Sequence, residues 1–163
     1  MGSRSLTIEQ VLTLLAGAPP RLAALTADPP AAQLHTPPGL NEWSANDVLA
    51  HLRSCADVWG QCIMTIIAED TPTIRAVNPT TWIKQTNYPE LAFQSSLRSF
   101  AAQRAELLAV LQPLPHKGWL RQATVTGAGK ALERTVLSYA QRLALHERPH
   151  IKQIERLVNM MPM

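Results

Sequence analysis

Apolar residues recur every three to four positions along most of this chain, a period that predicts four long helices. The first is expected over about residues 7–26, with Leu6, Ile8, Val11, Leu12, Leu14 and Leu15 on its apolar side. Gly17, Pro19 and Pro20 should break or kink it before Leu22 to Leu25 continue. A proline-rich connection follows, through Pro29 and Pro37-Pro38-Gly39. The second helix has a capping-box-like start, Ser44 with Asp47 three residues on, and should end near Glu69. Val48, Leu52, Cys55, Trp59, Cys62, Ile63 and Ile66 form its stripe, and His51 falls beside it. A loop over 72–89 carries Trp82 and Tyr88.

The third helix is expected over 89–111, with Pro89 in its first turn and Leu97, Phe100, Leu107 and Leu111 among its core positions. Pro113 and Pro115 stop it. The stretch 116–130 reads as irregular, with Gly127 and Gly129 marking a turn. A short strand-like piece near Leu120 to Val125 is the one competitor to helix. The fourth helix should run from about Leu132 to Asn159, on the period Val136, Tyr139, Leu143, His146, His150, Ile154, Leu157. The expected fold is an all-α four-helix bundle forming one domain over 1–163.

Bulk properties narrow the function classes. A hydrophobic content of 46% is ample for one core, and no apolar run approaches the ~20 residues of a membrane span. The net charge of +3 is spread out, with no basic cluster interleaved with aromatics, which argues against nucleic acid. The start of the chain does not read as a signal peptide, so the expectation is a cytoplasmic protein. Cys55 and Cys62, two turns apart on one helix, are expected to be buried reduced thiols. There is no Ser/His/Asp signature and no glycine-rich phosphate loop.

The chemistry sits in the histidines. His146 and His150 are one helical turn apart and project from one side of one helix. His51, on a second helix sharing the same core, could bring a third imidazole to the same point. Three neutral imidazoles around a divalent ion leave a coordination position open, which metal chemistry needs. Cys55, one turn after His51, could approach such an ion, although a small buried core residue is the simpler reading. Tyr139 and Arg142 lie one to two turns before His146 and could line a pocket. His35 and His116, in proline-containing loops, read as surface residues, and the tryptophans as core and loop anchors.

His146-Glu147-Arg148-Pro149-His150 also fits the zinc-protease pattern His-Glu-x-x-His. That reading is disfavoured, because Arg148 and Pro149 do not suit a buried regular helix and no further histidine follows. Glu147 is expected to be a solvated carboxylate or one that supports the ligands, about 100° round the helix from His146. Pro149 removes the donor to the Leu145 carbonyl, and a kink is expected there, not a stop.

Asn41-Glu42-Trp43-Ser44-Ala45-Asn46-Asp47-Val48-Leu49-Ala50-His51-Leu52 resembles the second-helix start of the DinB-like superfamily. His146 and His150, followed by Ile151 and Gln153-Ile154, resemble its fourth-helix motif. Ala68-Glu69-Asp70 with Pro72, and Trp82, also look familial. The resemblance implies a four-helix bundle whose three histidines, here His51, His146 and His150, bind a divalent metal, often zinc or nickel. Relatives include bacillithiol transferases and mycothiol-dependent maleylpyruvate isomerases. It therefore implies a metal-dependent enzyme acting on a low-molecular-weight thiol, as a thiol S-transferase or a thiol-dependent isomerase. The rival is a non-catalytic metal-binding or interaction protein. Many members dimerise, so a homodimer is expected, and light scattering should return about twice the 17.9 kDa chain mass. A monomer mass across micromolar concentrations would contradict it.

Overall fold

A computed structural model of the chain describes residues 5–160. Four long helices carry the core: α1 (Ile8–Leu25), α3 (Ala45–Ala68), α5 (Phe93–Leu111) and α7 (Val136–Asn159). Short helices lie between them: α2 (Ala31–Leu34), α4 (Pro79–Trp82) and α6 (His116–Trp119). Both α1 and α3 pack against α5 and α7, so α5 and α7 face one another across the bundle. Val11, Leu15 and Leu22 meet Leu52, Ile63, Ile66, Phe100, Leu111, Leu143 and Ile154 in the shared core.

The helix starts follow local chemistry. Thr7 with Gln10 and Ser44 with Asp47 form capping boxes, each satisfying donors that a helix N-terminus otherwise leaves unpaired. The third long helix begins at Phe93 and not at Pro89, because Tyr88–Glu90 forms a 3-10 turn and Leu91 and Ala92 are extended. Ala92 has no side-chain acceptor to cap this helix, and His35 Nε2 instead accepts from the Phe93 N–H at 3.1 Å. His35 is thus an exposed residue with a structural task, while His116 starts α6 and is exposed.

The four-helix bundle stands as expected, and three short strands accompany it. β1 (Thr73–Arg75) pairs in parallel with β2 (Gln122–Thr126), which pairs antiparallel with β3 (Leu132–Thr135). The strand-like piece near Leu120 is therefore the middle strand of a small sheet. Gly127 and Gly129 turn the β2–β3 hairpin at φ of +89° and +83°, where a Cβ would be strained. The fourth long helix begins at Val136, four residues later than expected, because residues 132–135 pair with β2. Thr135 and Ser138 then form its capping box.

The segment between β1 and α5 is latched onto α3. Asp57 accepts from Trp82 Nε1 (3.1 Å), Tyr88 Oη (2.6 Å) and Gln103 Nε2 (2.7 Å). Ser54 Oγ donates to the Pro79 carbonyl, and Asn46 Nδ2 to that of Pro89. The Arg53 guanidinium lies 3.7 Å over the Tyr88 ring.

The two internal prolines of α1 neither break it nor end it. Pro19 cannot donate to the Leu15 carbonyl, and Arg104 Nη1 on α5 donates to that oxygen at 3.0 Å. The same guanidinium forks onto both carboxylate oxygens of Glu147, from Nη1 at 2.9 Å and from Nη2. Both side chains are 2% exposed. Glu147 is therefore a buried ion-pair partner and not a solvated carboxylate. Its position on α7 faces the bundle centre, a placement that the His-Glu-x-x-His reading would not permit. Burial pushes its carboxyl up, and the Arg104 guanidinium opposes that.

Breaking a buried pair leaves a bare charge, whereas replacing both partners by apolar groups of like volume does not. Arg104→Met should lower the unfolding free energy by about 3–5 kcal/mol in denaturant titrations. Arg104→Met with Glu147→Leu should recover most of that loss. A single variant as stable as the wild type would contradict the pair's importance.

Candidate metal centre

Residues one turn apart share a helix face, and the site is built from two such rows. On α3 the row is His51, Cys55 and Trp59, and on α7 it is Arg142, His146 and His150. α3 and α7 pack directly on one another, so the rows meet. His51 Nε2 lies 3.2 Å from His146 Nε2. Ring centroids are 5.0 Å apart for His51 and His146, 4.9 Å for His51 and His150, and 4.6 Å for His146 and His150. All three rings are partly buried.

Aromatic neighbours fix the rings. Trp59 meets His146 edge-on at 5.1 Å, and Trp43 lies 5.3 Å from His51. Trp43 is nonetheless partly exposed, as is Trp82, while Trp59 and Trp119 are buried. His150 Nδ1 is 3.0 Å from Gln153 Oε1. That oxygen can only accept, so Nδ1 carries the proton and Nε2 of His150 keeps its lone pair. His146 Nδ1 is buried without a hydrogen-bond partner, so packing and the Nε2 contact with His51 orient that ring. Pro149 lies between the two α7 histidines, yet α7 continues through it to Asn159.

The donor atoms of His51, His146 and Cys55 suit a divalent cation, whereas those of His150 lie outside that group although its ring centroid is within 4.9 Å of both other rings. Two imidazole nitrogens each about 2.0–2.1 Å from one ion would stand about 3 Å apart, close to the observed Nε2 separation. Burial, then repulsion between its charged form and that of His150, holds His51 below the usual histidine range. The same causes, with His51 and Arg142 adding to them, bring His146 down to about 4. Both rings are therefore neutral at pH 7, the form that ligates.

Cys55 Sγ stands 3.7 Å from His51 Nε2, and the donor atoms of His51, Cys55 and His146 all lie within 4.8 Å of one another. Burial, reinforced by the Glu147 carboxylate, pushes the Cys55 thiol up to about 12. Without a cation it remains a thiol. Both cysteines are free and buried.

Tyr139 is buried, its hydroxyl beside the Cys62 thiol. Arg142 is exposed, with its guanidinium 4.8 Å over the Trp59 ring. Both line a cleft of about 340 Å³ that also includes Arg134, Ser138, Gln141 and Leu145. The sequence reading missed Arg104, Gln153 and Trp59 as parts of this environment. Gln153 was in view as a motif residue without a role. Nothing local to Arg104 announces that it is buried.

A family model described as the DinB superfamily matches residues 14–154. No curated protein sequence matches the chain. Among solved structures, one from Bacillus subtilis is similar at 20% identity, covering 98% of this chain and 91% of that one, with a TM-score of 0.79. Its description reads "YfiT from Bacillus subtilis is a probable metal-dependent hydrolase with an unusual four-helix bundle topology". At that identity the likeness speaks to the fold.

The depressed histidines give the metal-free protein a pH dependence of definite sign. Between the ordinary imidazole value of 6.5 and the value of about 4 for His146, the unfolded chain binds a proton that the folded chain refuses. Stability should therefore be fully present above pH 6.5 and fall as pH drops toward 4, with His51 acting in the same direction. Chelator-treated protein melted at a series of pH values should show this, and His146→Asn should flatten it. A wild type whose melting temperature is level over that window would contradict the assigned burial.

Proposed function

The chain belongs to the DinB superfamily, and from that premise we propose that it is a metal-dependent enzyme of low-molecular-weight thiol chemistry. His51, His146 and His150 hold a divalent ion, zinc or nickel as the family resemblance implies, both of which imidazole suits. The observation that carries the reading is the convergence of three partly buried imidazoles from two helices, with two Nε2 atoms 3.2 Å apart. When bound, the ion supplies a low pKa for a thiol at its open position, giving a nucleophile at neutral pH.

The chain's own residues do the rest. α3 and α7 fix the distance between His51 and the α7 pair. Gln153 holds His150 in the tautomer whose Nε2 is free to ligate. Trp59 and Trp43 flank the site.

A hydrolytic reading, in line with the description of YfiT, asks for a carboxylate base beside the histidines. The nearest in sequence, Glu147, is turned inward and spent on Arg104. Water in that reading would therefore be activated by the ion itself, and the thiol reading rests on the family resemblance. The other rival is a closed, non-catalytic site with Cys55 as fourth ligand, which its 3.7 Å approach to His51 keeps in view.

Metal binding to the native state alone raises stability by mass action, by about 2.7 kcal/mol at a hundredfold excess over the dissociation constant. Chelation should therefore lower the melting temperature of protein purified without a nickel column. The drop should be far smaller in His51→Ala, which lacks one ligand. Equal metal content and an identical chelator response in the two proteins would exclude the three-histidine site.

A further inference from the structure

Arg142 and Arg134 raise a question that the metal site leaves open. Among the described residues neither makes an ion pair or donates a side-chain hydrogen bond, yet both line a cleft beside α7. The other polar groups there are engaged. Ser138 Oγ donates to the Thr135 carbonyl and accepts from the Thr135 N–H. Gln141 Nε2 donates to the Leu6 carbonyl at 2.8 Å. The Tyr139 hydroxyl lies beside Cys62. No carboxylate lines the cleft, so its free capacity is two guanidiniums.

Arg142 is also held in place. Its guanidinium stacks over Trp59, the same ring that meets His146 edge-on. It sits one turn before His146, about 6 Å along the helix face. A group held by Arg142 is therefore within one small molecule's length of the histidines.

We propose that the cleft between Arg134 and Arg142 is an anion subsite, and that the molecule acted on beside the histidines carries a carboxylate. The guanidinium fork matches a carboxylate with two parallel hydrogen bonds, and a stacked Arg142 loses little freedom in making them. The carboxylate fixes one end of the substrate, and its reacting sulfur or electrophilic carbon reaches the histidine cluster. The reactive end of this reading rests on the proposed metal and thiol chemistry, whereas the anion end does not.

The test uses two thiols that differ in charge, 3-mercaptopropionate and 2-mercaptoethanol. Cobalt-loaded protein reports sulfur binding by its thiolate-to-metal absorption, and Cys55→Ser removes any signal of the protein's own thiol. At low salt 3-mercaptopropionate should bind about tenfold more tightly than 2-mercaptoethanol, within the range of a charge-assisted hydrogen bond. The advantage should vanish in Arg142→Gln, persist in part in Arg142→Lys, and shrink with added salt. A second arm needs no metal or sulfur: succinate titrated into metal-free protein should shift the side-chain NMR signals of Arg134 and Arg142. The Trp59 indole signal, under the Arg142 guanidinium, should shift with them, and succinate should no longer move it in Arg134→Gln/Arg142→Gln. If neither thiol gives a band but succinate still shifts both arginines, the subsite stands and the thiol reading falls. If both thiols bind equally and succinate moves neither arginine, the subsite is overturned and the thiol reading stands.

Discussion

A single buried charge pair sets the geometry of this bundle. Arg104 and Glu147 meet across its diagonal, from helices that barely touch otherwise, and each is closed off from water. The guanidinium must find acceptors there, and it finds three: both Glu147 oxygens and the Leu15 carbonyl on a third helix. That carbonyl is available because Pro19 has no N–H to offer it. An internal proline, elsewhere a defect, here opens a polar anchor in the core. Glu147 cannot rotate out to solvent without leaving Arg104 bare.

That anchor decides where the histidines point. Successive residues on a helix are about 100° apart, so a Glu147 fixed toward α5 and α1 turns His146 toward α3. His150 follows one turn later on the same face. Pro149 weakens the intervening turn by removing the donor to Leu145, and Gln153 holds the His150 ring from the far side. The imidazole cluster depends on a carboxylate that it never contacts.

Around the cluster the electrostatics keep a consistent sign. Burial and mutual repulsion favour neutral rings at His51 and His146, and the nearby Arg142 charge pushes His146 further the same way. Burial and the Glu147 carboxylate keep Cys55 a thiol. The site is thus a set of uncharged donors flanked by an exposed cation, an arrangement suited to a metal ion and an anionic ligand. The small sheet contributes to this flank, because β3 carries Arg134 and runs without a break into the Thr135 cap of α7.

What the sequence determined by itself was the local and the periodic. The four apolar stripes, the caps at Ser44 and the ends of the first helix at Thr7 and Thr26 were legible, because each depends on residues within one or two turns. The face shared by His146 and His150 was legible for the same reason. The tertiary structure alone decided the rest. Of the strands, each three to five residues long, only β2 left a mark in the sequence, near Leu120 to Val125, and β1 and β3 exist because they pair with it. The start of α5 is set by His35, 58 residues away, and not by Pro89. The inward turn of Glu147 had no local mark, since an exposed and an ion-paired carboxylate read alike until the opposing guanidinium is known. Burial of a charge is settled by its partner, and the partner lies across the fold.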